Sequence, residues 1–168
     1  MKIKLVLSII TITLFCTVKS YSQANFSGVW AIDNSKSYFG KVPTYVMPTS
    51  IELQKKSDSL FVTFKVTGQD GNPYKVSSKY DLTGKVVEKA ISNGGTMRSI
   101  MIWSADHLGL TKNQTYYLSA KDPAQPTKTI NETWTLSADG KTLTIQQTAQ
   151  IIAKPESNYT IKAIYEKQ

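Results

Sequence analysis

Cysteine is almost missing from this chain, and the single one, Cys16, sits in an apolar leader ahead of everything that looks foldable. Residues 23–168 can therefore form no internal disulfide, and they offer no thiol nucleophile or thiolate ligand. Histidine is as scarce. The one present, His107, lies in the turn Ser104-Ala105-Asp106-His107, where a surface position is expected. A zinc centre takes three or four His, Cys or carboxylate ligands, and a hydrolase of the serine or cysteine kind needs a base beside its nucleophile. One histidine serves neither. No Gly-rich loop leads from a strand into a helix, so a nucleotide cofactor has no evident seat. The expectation is a non-enzyme with no metal and no cofactor.

Arginine also occurs once, at Arg98, and the other basic residues are lysines scattered along the chain. No basic run of the kind that binds nucleic acid is present. Long apolar runs are wanting too. Leu5–Val18, behind Met1-Lys2-Ile3-Lys4, is shorter than the about 20 apolar residues that cross a bilayer. With small residues at Ser20 and Ser22, it fits a secretory signal peptide cut after Ser22, in preference to a cut after Ala24. Lipid anchoring at Cys16 is not expected, because the bulky Phe15 precedes it. The expected product is residues 23–168, one domain, monomeric, periplasmic or extracellular. Loss of Lys2, Lys4 and Lys19 lowers its net charge from +8 to about +5.

Helical periodicity is not sustained anywhere beyond residue 24. What is there instead is alternation. Leu60, Val62, Phe64 and Val66 alternate with Phe61, Thr63, Lys65 and Thr67, the period-two mark of a half-buried strand. Asp70-Gly71-Asn72-Pro73 is a strong turn, after which Tyr74, Val76, Tyr80 and Leu82 resume the pattern. Further strands follow at Lys85–Ile91, Thr96–Trp103 and Leu108–Ser119. Ile130, Glu132, Trp134 and Leu136 share the next inward face, and Ala138-Asp139-Gly140-Lys141 turns into Leu143–Ile151. The last strand points Tyr159, Ile161, Ala163 and Tyr165 inward. The count is nine or ten strands, joined mainly by short turns. Such a meander removes its edges by closing into an antiparallel up-and-down barrel; a two-sheet sandwich is the alternative that strand count leaves open.

The first strand contains Phe26-Ser27-Gly28-Val29-Trp30, followed by Asp33 and Lys36-Ser37. A Gly-x-Trp there resembles the motif of lipocalins and the wider calycin group. The longer stretch is similar to the opening of secreted bacterial lipocalin-like domains, mostly of unassigned function. Leu136–Thr144 resembles that family's late hairpin, and Tyr165-Glu166-Lys167 its end. The resemblance implies an all-β lipocalin-like barrel whose Trp30 plugs one end, with Gly28 letting a neighbouring chain pass close. Lipocalins cover that tryptophan with an arginine near the C-terminus. None exists here, and Lys162 or Lys167 is the stand-in.

The acids fall mostly at turns (Asp58, Asp70, Asp106, Asp122 and Asp139), where they hydrogen-bond their own backbone. Glu132 differs, being on the face of Ile130 and Trp134. A carboxylate aimed at an apolar interior needs a partner or a proton. It either sits near the barrel mouth or bonds a tyrosine, or it anchors a ligand in a cavity with Gln147 and Ser78 as companions. Rings at Phe64, Tyr80, Tyr116 and Trp134 then line that cavity or fill a closed core. On Thr96–Trp103 the inward face is either that of Met97, Ser99, Met101 and Trp103 or that of Arg98, Ile100 and Ile102. The loop Tyr38–Pro48, pinned by Lys36, is placed as a lid. The leading expectation is binding of a small, partly apolar molecule inside the barrel. The alternative is a module that binds protein or glycan through loops and outer face, with no internal ligand.

Overall fold

The computed structural model describes residues 23–68, 70–92, 94–118 and 125–168. The leader, Cys16, the cut after Ser22 and Asp122 lie outside the described residues. Ten strands follow one another: β1 (Gly28–Ile32), β2 (Ser50–Lys56), β3 (Ser59–Thr67), β4 (Pro73–Asp81), β5 (Val87–Ala90), β6 (Thr96–Trp103), β7 (Gly109–Tyr117), β8 (Pro126–Leu136), β9 (Thr142–Ile151) and β10 (Tyr159–Lys167). The only helical pieces among the described residues are the single 3-10 turns Thr44–Val46 and Pro155–Ser157. Neither is long and apolar enough to cross a membrane.

Each strand pairs antiparallel with its neighbour, and the order is β4-β3-β2-β1-β10-β9-β8-β7-β6-β5. First and last strands therefore meet, with Trp30 opposite Lys167 and Ile32 opposite Tyr165. One continuous sheet curls round until its ends approach: β4 touches β6, and Thr83 makes an isolated bridge to Ile102. The fold is a nearly closed ten-stranded barrel of the calycin type, which sets the sandwich aside. β5 is shorter than the alternation predicts. The bridge at Thr83 ties the connection to β6 early, and only the exposed residues Val87–Ala90 are left to pair.

The hairpin turns follow from local chemistry. Gly71 and Gly140 take φ of 78° and 67°, a region that costs glycine little. Beside them Asp70 Oδ1 accepts from the Asn72 backbone N–H at 3.0 Å, and Asp139 Oδ1 accepts from that of Lys141 at 3.1 Å. Asp106 does the same for Leu108. Asx turns of this kind offer the chain a local partner in place of a ladder. His107 is exposed and takes φ of 58° in that turn, and its carbonyl accepts from the Ala24 N–H.

One end of the barrel is plugged. Trp30 is fully buried, its Nε1 donating to the Phe26 carbonyl at 3.0 Å, and Lys167 Nζ stands 5.3 Å from its ring centroid. Of the two lysines expected to cover this tryptophan, Lys167 does so. Gly28 has φ of 147°, and a Cβ there would lie 2.9 Å from Lys167 Cε. Around the plug pack Phe26, Leu53, Leu110 and Leu143, all buried. At the opposite end lie the long connection of residues 33–49 and the mouth of a cavity.

Candidate functional site

A cavity of about 290 Å³ enters the barrel from the open end. Register places its wall. Met101, Lys112, Glu132, Gln147 and Ile161 face one another in a row across β6 to β10. One step toward the plug, the row is Trp103, Leu110, Trp134, Ile145 and Ala163. Because strand residues two apart share a face, both rows project into the barrel. On the other side Phe64 and Val66 of β3 with Tyr74 and Val76 of β4 complete an apolar wall. Met47 and Pro48, from the end of the long loop after β1, close over it.

The polar wall centres on an ion pair. Lys112 Nζ is 2.7 Å from Glu132 Oε1, and the two side chains are only 5% and 9% exposed. The other carboxylate oxygen, Oε2, accepts from Trp134 Nε1 at 2.8 Å. Lys112 also lies over aromatic faces, 5.3 Å from the centroid of Tyr80 and 5.9 Å from that of Trp134. Burial alone pulls the Lys112 amine down, but the attraction of Glu132 outweighs it, and its pKa stands above the ordinary lysine value. Gln147 Nε2 donates to Tyr159 Oη at 3.1 Å. Burial pushes up the phenols of Tyr116, Tyr159 and Tyr165. Among the described residues no buried side-chain nitrogen or oxygen lacks a partner.

Of the residues singled out from sequence, Phe64, Glu132, Trp134 and Gln147 line this cavity. Ser78, Tyr80 and Tyr116 lie on inward positions, opposite Val62, Leu60 and Met97, but outside its lining. Glu132 bonds no tyrosine. It sits below the mouth, and its partners are a lysine and a tryptophan. Lys112 escaped the sequence reading although the signal existed: it stands four residues from inward Tyr116 on one strand, hence on the same face. On β6 the buried face is that of Ser99 and Met101, so Arg98 points outward, to Glu88 at 2.8 Å and to the ring of Tyr117.

The loop after β1 is built from both ends. Lys36 Nζ reaches Asp33 at 3.1 Å and Glu166 of β10 at 2.9 Å. Tyr38 pairs by backbone with Lys162, Phe39 is buried in the core, and Met47 reaches the cavity. Tyr45 and Val46, by contrast, are exposed.

Chemically the site offers a partly apolar cleft with one neutralised charge pair and amide and phenol hydrogen-bonding groups. Among the described residues Glu132 is its sole carboxylate. Paired acids for glycoside-type chemistry are therefore not assembled in it. Among the described residues no three His, Cys, Asp or Glu side chains group as a metal site.

No family profile matches the chain, and no curated protein matches it in sequence. Among solved structures, zebrafish ileal bile acid-binding protein, crystallised with cholic acid, is similar in fold. The TM-score is 0.52 at 15% identity, over 85% of this chain and 98% of that one. At that identity the likeness is one of fold.

Proposed function

We propose that this protein is an exported, non-catalytic carrier that holds a small amphipathic molecule inside its barrel. The observation that carries the reading is the open cavity of about 290 Å³ with one apolar and one polar wall. Ligand pockets have this character, mostly apolar with a few placed polar groups, and run from about 300 Å³ upward. The ligand is accordingly small. The structural neighbour, of the same barrel type, was solved with cholic acid, an amphipathic molecule. The apolar leader behind Met1–Lys4, with small residues at Ser20 and Ser22, supports export. The resemblance of the Phe26–Ser37 stretch to secreted bacterial lipocalin-like domains supports the same address.

Native mass spectrometry of the protein purified from its own host tests the carrier reading. A co-purifying molecule of fixed mass is expected, and Ala163→Phe, which fills the cavity floor, should abolish it without lowering the yield of folded protein. An empty protein that also leaves its tryptophan fluorescence unchanged across a panel of amphipathic compounds overturns the reading. Such a result favours recognition through loops and outer face. Detection of uncleaved Met1 in the cytoplasmic fraction overturns export.

A further inference from the structure

We infer that the barrel mouth carries an anion-binding subsite at Lys128, so that an amphipathic anion lies with its ionised group at the rim and its apolar body toward Trp134. The inference rests on the carrier reading and adds to it the charge and orientation of the ligand. Lys128 is on the inward face of β8, in a row with Met97, Tyr116 and Ile151 at the open end. Its Nζ stands 5.4 Å from the ring centroid of Tyr116. The side chain is partly buried, and among the described residues no carboxylate reaches it, whereas Lys112 two rows below is matched by Glu132. A cation withdrawn from water without a counter-charge favours an incoming anion. Desolvation accordingly draws the Lys128 amine below the ordinary lysine value.

Two further features fix the orientation. The pairing of β7 with β8 shifts register between Tyr116 and Tyr117, immediately beside Lys128. Such bulges re-aim neighbouring side chains, and here Thr127 Oγ1 donates to the Tyr116 carbonyl. Deeper in the barrel the arrangement refuses an anion. The Lys112 amine is already bound to Glu132, and a second negative charge would face that carboxylate across a low-dielectric wall. Lys128 is four residues up the strand from Glu132, about 13 Å at roughly 3.3 Å per residue, which separates the two charges.

Decanoate and decanol test this on the full mature chain by tryptophan fluorescence titration. The two probes share a tail and differ in the ionised head. Lys128→Gln is expected to weaken decanoate about tenfold, the scale of one hydrogen bond to a charged group, and to leave decanol unchanged. Lys128→Arg should retain decanoate. Equal losses for both probes, or no loss for decanoate, overturn the subsite while leaving the carrier reading in place. If the unmodified protein takes up neither probe, the subsite falls, and the carrier reading stands or falls on the co-purified ligand and the wider panel. A melting curve of each variant checks that the barrel is intact.

Discussion

Lys112 and Glu132 stand directly opposite one another on β7 and β8, and they form an ion pair of 2.7 Å that is almost fully removed from water. Breaking such a pair by removing one partner leaves an uncompensated buried charge and costs about 3–5 kcal/mol. Lys112→Met and Glu132→Gln are each expected to lower stability by that order in chemical denaturation. The double variant keeps an acceptor for Trp134 Nε1 and buries no net charge, so it should recover most of the loss. Losses that simply add would mean the pair is not coupled.

The same pair predicts a pH dependence. The Lys112 amine is raised in the folded state, so its contribution is complete below the unfolded lysine value of about 10.4 and is lost as pH climbs through the higher folded value. The buried Tyr165 phenol, also raised, acts in the same direction above about pH 10. Melting temperature should hold steady on the approach to pH 10 and then drop. The Lys112→Met/Glu132→Gln variant should drop less steeply; an identical profile would sink the assignment to Lys112.

At the plugged end, Gly28→Ala places a methyl group 2.9 Å from Lys167 Cε on a backbone with φ of 147°. A cost of about 1–3 kcal/mol is expected. Adding Lys167→Ala relieves the contact but leaves the backbone strain, so only partial recovery should appear. Lys167→Ala alone should cost about 0.5–1 kcal/mol, as an exposed cation–π contact does, whereas Trp30→Ala should cost about 3–5 kcal/mol.

The loop over the mouth divides into an anchor and a cover. Phe39 is buried against the core, so Phe39→Ala should lower stability by about 3 kcal/mol. Met47 lines the cavity. Met47→Ala should weaken decanol binding severalfold, on the scale of one apolar side chain losing part of its contact area, with a small change in melting temperature. Tyr45→Ser, on an exposed side chain, should alter neither by a measurable amount. Equal effects of Met47→Ala and Tyr45→Ser would remove the distinction between cover and surface.

The strands were legible because period two is a local property. The Leu60–Val66 alternation, the Asp70-Gly71 and Asp139-Gly140 turns and the inward face of β8 at Ile130, Glu132 and Trp134 all carry their own signals. The plug at Trp30 was legible by resemblance, down to a lysine standing over the ring. Less of the site could be read. Lys112 looked like one more surface lysine, because a charged residue reads as solvated until its partner is known. The sequence places the loop Tyr38–Pro48 as a lid, but it has no periodicity, so nothing local says that Met47 and Pro48 are the residues that reach the cavity.

Sequence alone determined that residues 23–168 are mainly strand and turn, which side chains share a face, and that this stretch holds no cysteine and a single histidine. Only the tertiary structure decided that β1 closes onto β10, that β4 and β5 stay apart, and that Lys112 meets Glu132 beneath an open mouth. The reason is one of range. A strand's periodicity sets the face of each side chain through its immediate neighbours. Its partner across the sheet depends on register between segments far apart in the chain, and whether a charge can be buried depends on that partner.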